Sequence, residues 1–91
     1  MKENFFVYLI LNIKNRKTIS YVGWTNNIRK RLQLHNSGKG AKFTRGRRWI
    51  LIYKKKLQSK KSAMQFEYIL KKNRIVRKHL IKKFISTTID C

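Results

Sequence analysis

The sequence predicts an α+β domain in which a three-stranded sheet is covered by helices, in the order β-β-α-β-α-α. Two observations carry this prediction. Two strand-like stretches near the start are joined by a short polar turn, and three later segments have helix caps or apolar residues at helical spacing. With 91 residues, the chain is long enough for one modest core. We place a single domain at residues 1–85 and a frayed, flexible tail at residues 86–91.

The first two strands are predicted to form a hairpin. Strand-forming residues run through Phe5–Ile13 and again through Thr18–Val22, and the polar turn Lys14-Asn15-Arg16-Lys17 separates them. A turn centred on its first two residues pairs positions whose numbers sum to about 29, which places Tyr8 opposite Tyr21 on one sheet face. Ordinary strand aromatics with surface hydroxyls fit the same pattern. The first strand is apolar on both faces, so we expect it at the centre of the sheet.

The remaining elements follow from caps, apolar spacing and glycine content. Thr25 or Asn26-Asn27 caps the first helix, and Ser59 or Ser62 opens the second. A loop is expected over Ser37–Arg48, which holds three of the four glycines. The predicted bounds are Ile28–Asn36 for the first helix, Trp49–Tyr53 for the third strand, about Lys72 for the end of the second helix, and Arg74–Phe84 for the third helix.

Charge is the outlying property of the composition. The chain has 24 Lys and Arg against 3 Asp and Glu, a formal charge of +21, and the cations are spread along its whole length. A polyanion is therefore the expected partner, and nucleic acid is the commonest one. No apolar run approaches the ~18 residues of a membrane span, and the start does not resemble a signal peptide. We therefore expect no membrane partner and a cytoplasmic location, at the nucleoid if the chain is bacterial.

The cysteine count excludes two classes of site. The only cysteine is Cys91, the last residue. An intramolecular disulfide framework and a cysteine-based zinc site are therefore both impossible.

Arg31 and His35 are four residues apart, so they lie on one face of the first helix. Ile28 and Leu32 share much of that face and should pack on the sheet. An arginine there can hold a phosphate through a forked, charge-assisted bond, and a histidine can transfer a proton or donate to phosphate. The competing interpretation is a solvated basic face.

Glu67 is one of only three acids and is the only one away from the termini. It lies at the border of the apolar stripe of its helix, where an isolated carboxylate costs several kcal/mol to desolvate. It therefore needs a partner, which is either a cation such as Lys71 at i+4 or a hard divalent metal ion. Two-metal nucleases gather several carboxylates, so a metal held here would be a single ion.

The predicted loop mixes glycines with cations, and such a loop can follow a phosphodiester backbone. Trp24 follows Gly23 at the junction between strand and helix, where base stacking and core packing are both open. Five residues are therefore candidates for contact with nucleic acid: Trp24, Lys39, Lys42, Arg45 and Lys71.

Taken in order, several short motifs resemble the GIY-YIG endonuclease family, most closely its small stand-alone bacterial branch and more distantly the Slx1-type nucleases. The resemblance extends over about Phe5 to Leu80. It rests on Tyr8, Tyr21-Val22-Gly23, Thr25, Arg31, His35, the loop Gly38-Lys39-Gly40-Ala41-Lys42 with Arg45-Gly46, and Glu67.

The resemblance implies an antiparallel three-stranded sheet flanked by helices and hydrolysis of DNA phosphodiester bonds with one Mg²⁺ or Mn²⁺ ion. It implies no small-molecule cofactor. Tyr8 and Tyr21 match the two motif tyrosines, the second being a candidate base for the attacking water. Arg31 matches the arginine that stabilises phosphoryl charge, His35 the position four residues later, and Glu67 the metal ligand.

The resulting hypothesis is a metal-dependent DNA endonuclease of repair or recombination, acting on plain, branched or flapped DNA. An in-line attack needs a base, charge neutralisation and a fixed ion, for which Tyr21 or His35, Arg31 and Glu67 are the candidates. The alternative is a non-catalytic basic binder, either a ribosomal-type RNA-binding protein or a degenerate nuclease fold.

Overall fold

The structure, a computed structural model, describes residues 4–89 and confirms the predicted order β-β-α-β-α-α. The three strands form one antiparallel sheet, and a single 3-10 turn at Lys42–Thr44 interrupts the long loop. None of the helices in this part of the chain is long and apolar enough to span a membrane. The strands and helices are β1 (Phe5–Lys14), β2 (Lys17–Thr25), α1 (Ile28–Asn36), β3 (Ile50–Leu57), α2 (Lys60–Lys72) and α3 (Arg74–Ile89).

The central position of β1 is confirmed, because the strand order is β2-β1-β3. The hairpin register differs from the prediction. Asn15-Arg16 forms the turn, with φ values of 53° and 66°, which is the left-handed pair of a tight hairpin. Ile10 therefore pairs with Tyr21 and Tyr8 pairs with Gly23, so the predicted pair of tyrosines was wrong by two residues. A slip of two preserves the face, and both tyrosines still lie on the same side.

Pairing with β1 explains why two strands are longer than the sequence predicted. β2 continues to Thr25, and β3 begins at Ile50 and continues through three lysines to Leu57, which pairs with Phe5. Lysine has low strand propensity, but hydrogen bonds from a neighbouring strand override it. The last helix continues to Ile89, past the start that we predicted for the tail. Asp90 and Cys91 lie outside the described residues.

The two faces of the sheet have different coverings. On one face, α2 covers β1 and β2 while α3 packs against β3 and α2, and the buried cluster there is apolar: Val7, Leu9, Val22, Ala63 and Leu70. On the other face, α1 and the long loop cover the sheet, and the buried cluster consists of Tyr8, Ile10 and Trp49, with Ile28 and Leu32 of α1 packed against it. Because β1 is buried on both faces, it carries an apolar run and not an alternating pattern.

The long loop is held in place by side-chain hydrogen bonds at both ends. Asn36 donates to the Trp49 carbonyl at 3.2 Å and accepts from the Trp49 amide at 2.6 Å. The indole of Trp49 donates to the Thr44 carbonyl at 2.9 Å, and Asn12 donates to the Arg48 carbonyl at 2.9 Å. These bonds hold the backbone of the loop beside the sheet.

Candidate active site

A pocket of about 420 Å³ brings together residues that are far apart in the sequence. Tyr8 comes from β1, Tyr21 from β2, Arg31 from α1 and Glu67 from α2, and all four line the pocket. They are four of the five predicted catalytic residues. The end of β2 and the start of α1 complete the wall with Gly23, Trp24, Thr25 and Asn26.

His35, the fifth residue, lies behind the pocket and not in its lining. Its side chain is completely buried. The Nε2 atom is 2.8 Å from the Tyr8 hydroxyl, and the Nδ1 atom is 2.8 Å from the Thr44 hydroxyl. The ring of Tyr21 approaches the imidazole edge-on, with 5.2 Å between centroids. His35 can therefore act on a substrate only through Tyr8.

The direction of each hydrogen bond in this chain follows from counting hydrogens. The Thr44 hydroxyl donates its one hydrogen to the Ala41 carbonyl at 2.8 Å, so toward His35 it can only accept. His35 therefore carries a hydrogen on Nδ1. Burial and the charge of Arg31 lower the pKa of His35, so the imidazole is neutral at pH 7 and Nε2 is unprotonated. It follows that Tyr8 donates its hydroxyl hydrogen to Nε2.

Tyr8 remains a neutral phenol at physiological pH. Burial is the largest influence and raises its pKa to about 12, while the neighbouring Arg31 acts in the opposite direction. Because the hydroxyl hydrogen is committed to His35, the phenol oxygen can only accept further hydrogen bonds, and the neighbouring Arg31 side chain is one donor within reach. Tyr8 thus couples the pocket to the buried imidazole.

Arg31 has an unusual environment for a charged side chain. Its Nε atom is buried and has no hydrogen-bond partner within residues 4–89. A buried donor without a partner costs about 1–3 kcal/mol, and more when it is charged. Buried polar groups without a partner are rare in proteins and commonly have a catalytic role or bind water or an ion. In a pocket that also holds a carboxylate, this is the group best suited to an anionic ligand.

Glu67 has the Lys71 partner that its sequence position predicted as one alternative, and it also lines the pocket. The carboxylate lines the pocket, and its side chain is 21% exposed. Its Oε1 atom also lies 3.5 Å from Nζ of Lys71, which is 49% exposed. Within residues 4–89, no three His, Cys, Asp or Glu side chains gather as a metal site. A metal ion at Glu67 would therefore take its other ligands from water, phosphate or neutral oxygens.

Two glycines make room for this arrangement. A Cβ atom at Gly23 would run into the Tyr8 hydroxyl, and one at Gly40 would come within 2.5 Å of Nδ1 of His35. Gly23 belongs to the second tyrosine motif. The packing roles of Gly40 and Thr44 were missed, because in the sequence they are ordinary loop residues. A glycine and a hydroxyl residue in the loop after the helix histidine were the only signals available.

The predicted nucleic-acid contacts fall into three groups. Lys39, Lys42 and Arg45 are exposed on the long loop. Lys71 stands beside the pocket, with its Nζ atom 6.0 Å from the centre of the Tyr21 ring. Trp24 borders the pocket, but its ring packs with the apolar cluster, 6.2 Å from the ring of Phe5. Core packing therefore accounts for most of the Trp24 side chain.

The chain is similar in sequence to a known domain family and to several bacterial proteins. The family model described as the GIY-YIG catalytic domain matches residues 4–84. The UPF0213 protein OB0043 of Oceanobacillus iheyensis is 46% identical over 72 residues, which is 78% of this chain and 80% of that protein. The UPF0213 protein YazA of Bacillus subtilis is 42% identical over 71 residues, 77% of this chain and 69% of that protein.

A solved structure is also similar. The solution NMR structure of the UPF0213 protein BH0048 from Bacillus halodurans is 37% identical in sequence. The match covers 88% of this chain and 83% of that chain, with a TM-score of 0.47.

Proposed function

The chain belongs to the GIY-YIG family, and from this premise we propose that it is a metal-dependent endonuclease that hydrolyses phosphodiester bonds of DNA. One observation carries the proposal: Tyr8, Tyr21, Arg31 and Glu67, from four different elements, line one pocket. A purely structural basic domain has no need to gather its one internal acid, an arginine and two phenols in this way. A role in DNA repair or recombination in the cytoplasm is part of the proposal.

Arg31 is the proposed partner of the scissile phosphate. Its guanidinium lines the pocket, and its Nε atom has no partner in the part of the chain that the structure describes. A phosphate oxygen in the pocket would accept charge-assisted hydrogen bonds from the guanidinium. Negative charge increases on the phosphate oxygens as water attacks, so a preorganised guanidinium stabilises the transition state more than the ground state.

Tyr8 and His35 are proposed to take the proton of the attacking water together. A free phenolate is scarce at neutral pH, because the pKa of Tyr8 is raised to about 12. The water can instead give its proton to the phenol oxygen while the phenol hydrogen moves to Nε2 of His35, 2.8 Å away. The phenol ends neutral, the imidazole gains the proton, and the water oxygen bonds to phosphorus while the bond from phosphorus to the leaving sugar oxygen breaks. That leaving oxygen then takes a proton from solvent water. The base candidate His35 then accepts the proton through Tyr8. Tyr21 packs against the imidazole ring of His35.

Glu67 is the proposed holder of a divalent metal ion. Nucleases of this family generally use one, and the Glu67 carboxylate fits, because carboxylate, water and phosphate oxygens are ligands that Mg²⁺ and Mn²⁺ prefer. A bound ion supplies charge neutralisation at the phosphate and lowers the pKa of coordinated water. The half-exposed ion pair with Lys71 is weak, on the order of 0–1 kcal/mol, so it is no obstacle to a metal ion.

One observation favours the alternative function, a nucleic-acid-binding protein that does not cut. The 3.5 Å ion pair between Glu67 and Lys71 gives the carboxylate a structural partner without any metal. Such a protein would bind DNA or RNA through its charge of +21. It would make no use of the hydrogen-bond chain behind Tyr8.

A paired set of variants tests the proposal. Glu67→Gln removes the charge and keeps the shape, while Lys71→Gln removes the other half of the ion pair and leaves the carboxylate. Linear and branched DNAs are incubated with each protein in Mg²⁺, Mn²⁺ or EDTA, and melting temperatures are measured on the same preparations. We expect Glu67→Gln to stay folded, to bind DNA at least as well in EDTA, and to lose metal-dependent cleavage. Lys71→Gln should still cut.

Two results would oppose the proposal. If both variants are destabilised alike, by on the order of 1 kcal/mol, and Glu67→Gln still cuts at the wild-type rate, then the carboxylate is structural. If the wild-type protein cuts none of the DNAs in either metal but binds them in a salt-dependent manner, the binding function is correct.

A further inference from the structure

A second groove, the hairpin-end groove, lies where the β1–β2 turn meets the long loop. Its volume is about 610 Å³. Asn12 forms part of its floor by donating to the Arg48 carbonyl at 2.9 Å, which ties the loop to β1. The groove is therefore part of the folded scaffold. Its lining consists of one end of the hairpin, Asn12–Asn15, Lys17 and Ile19, and the loop residues Gly46–Arg48.

Four cations surround this groove, and no acid balances them. Lys14, Lys17, Arg47 and Arg48 all line it. Glu67 is the only Asp or Glu in residues 4–89, and its ion pair is with Lys71 at the catalytic pocket. Four like charges around one small concavity repel each other, and an anionic ligand relieves that repulsion. A single solvated lysine on a convex surface experiences no comparable charge repulsion.

The groove is connected to the catalytic pocket by a short stack of side chains. The ring of Tyr21, in the pocket wall, stacks on Phe43 with 6.1 Å between centroids. The guanidinium carbon of Arg47 lies 5.4 Å from the centre of the Phe43 ring. Arg47 is thus two ring contacts away from the pocket and also lines the groove. Along one DNA strand, phosphates recur about every 3.4 Å of helix axis. The path from the pocket through Phe43 to Arg47 therefore spans a few nucleotides.

We propose that the hairpin-end groove binds the phosphate backbone of the DNA strand on one side of the scissile bond, a few nucleotides from the pocket. The inference rests on the proposed function for the pocket itself. The bound DNA strand would run from the pocket past Phe43 to the end of the hairpin. The contacts are made by Lys14, Lys17, Arg47 and Arg48, none of which the sequence motifs had singled out.

A matched pair of triple variants tests this proposal. Lys14→Gln/Lys17→Gln/Arg48→Gln removes three charges from the groove and leaves Arg47 packed on Phe43. The control, Lys78→Gln/Lys82→Gln/Lys83→Gln, removes three charges from the exposed surface of α3, the helix whose Leu80 and Ile81 pack on the opposite side of the sheet. Affinity for a short duplex is measured in EDTA over a range of salt concentrations.

We expect the groove variant to bind more weakly and to lose about 2–3 from the log–log salt slope, since each phosphate contact contributes about 0.9. The α3 control should retain most of the wild-type slope. A third protein, Lys14→Arg/Lys17→Arg/Arg48→Lys, exchanges the cation types and should bind like the wild type. Melting temperatures of all the proteins verify that they are folded.

The inference is overturned if the groove and α3 variants show the same slope and affinity, because the cations would then act only through total charge. It is also overturned if the charge-preserving protein loses as much affinity as the groove variant. Since EDTA prevents metal-dependent cleavage, the binding result stands whether or not the wild-type chain proves to be a nuclease. If the wild-type chain does not cleave DNA but the groove variant still loses salt slope, the proposed enzyme activity is refuted and the proposed DNA-binding groove is supported.

Discussion

Val7 and Tyr8 are neighbours on β1, are 0% and 3% exposed, and face opposite sides of the sheet. On the Val7 side, α2 and α3 complete an apolar cluster. On the Tyr8 side, two fully buried polar side chains, His35 and Thr44, continue a hydrogen-bond chain inward from the pocket. The same strand therefore supports two interiors of different chemistry.

The comparison separates stability from function. Apolar contacts are non-directional, so the Val7 side tolerates exchange of one hydrocarbon for another of similar volume. Buried polar groups need a partner with the right donor or acceptor, or they destabilise the fold. Each hydrogen bond on the Tyr8 side therefore requires one particular donor and acceptor, and Tyr8, at the outer end of the chain, lines the pocket. We expect variants on the first side to change folding, and variants on the second to change cleavage.

The largest expected effect is on the apolar side. Leu9 is completely buried in the cluster, so Leu9→Ala should lower the free energy of unfolding by about 2–5 kcal/mol through lost transfer energy and a cavity. The control is Ile50→Ala, on a side chain that is 46% exposed and for which we expect a small change. Urea denaturation measures both. A loss from Leu9→Ala no larger than that of the control would remove the distinction between the two sides.

Next in size is the effect of Arg31→Ala on the pocket. Removing a group that stabilises transition-state charge should lower the single-turnover cleavage rate by about 10²–10³-fold, with a much smaller change in DNA affinity, because many other cations share ground-state attraction. Arg29→Ala, an exposed arginine on the same helix, is the matched control and should cut almost normally. Equal losses of rate and affinity in Arg31→Ala would make it one binding cation among many.

Thr44 tests the inner end of the hydrogen-bond chain. Thr44→Val keeps the shape but leaves Nδ1 of His35 without its acceptor, so the free energy of unfolding should fall by about 1–3 kcal/mol. Cleavage should fall as well, because the imidazole is no longer held in the form that accepts from Tyr8. Thr44→Ser restores the hydroxyl and should restore the cleavage rate. If valine and serine give the same rate, Thr44 does not act through its hydroxyl.

The smallest expected effect is the dependence of stability on pH. Burial and Arg31 lower the pKa of His35 below its ordinary 6.5. Below that pH the unfolded chain binds a proton at this position that the folded chain does not, so the free energy of unfolding falls as pH drops. Cleavage should fall only at still lower pH, where the folded chain itself becomes protonated at Nε2 and can no longer accept from Tyr8.

Urea denaturation at about pH 7 and about pH 5 measures this loss. His79→Gln is the control, since His79 is exposed, and it should keep the wild-type dependence on pH. Equal stability at the two pH values would show that His35 does not titrate differently in the folded and unfolded states.

Local chemistry and periodicity were enough to predict most of the architecture. The apolar run of β1 implied burial on both faces, and the polar turn implied a hairpin. Side chains in a strand alternate with period two, so the predicted face of Tyr8 and Tyr21 survived a register error of two residues. Glu67 was singled out because a carboxylate at the border of an apolar helix face needs a partner, and Arg31 because it shares one helix face with His35. These signals are local, and the sequence alone determined them.

Only the tertiary structure decided where His35, Thr44 and the cations of the second groove lie and what they contact. Nothing local distinguishes a buried helix histidine from a solvated one, since burial depends on the loop that folds over it and on Gly40, which leaves it room. The hydroxyl of Thr44 and the cations of the hairpin-end groove acquire their roles from neighbours that are distant along the chain. A charge of +21 predicts a polyanion, but where that polyanion lies depends on which cations the fold places together without an acid beside them.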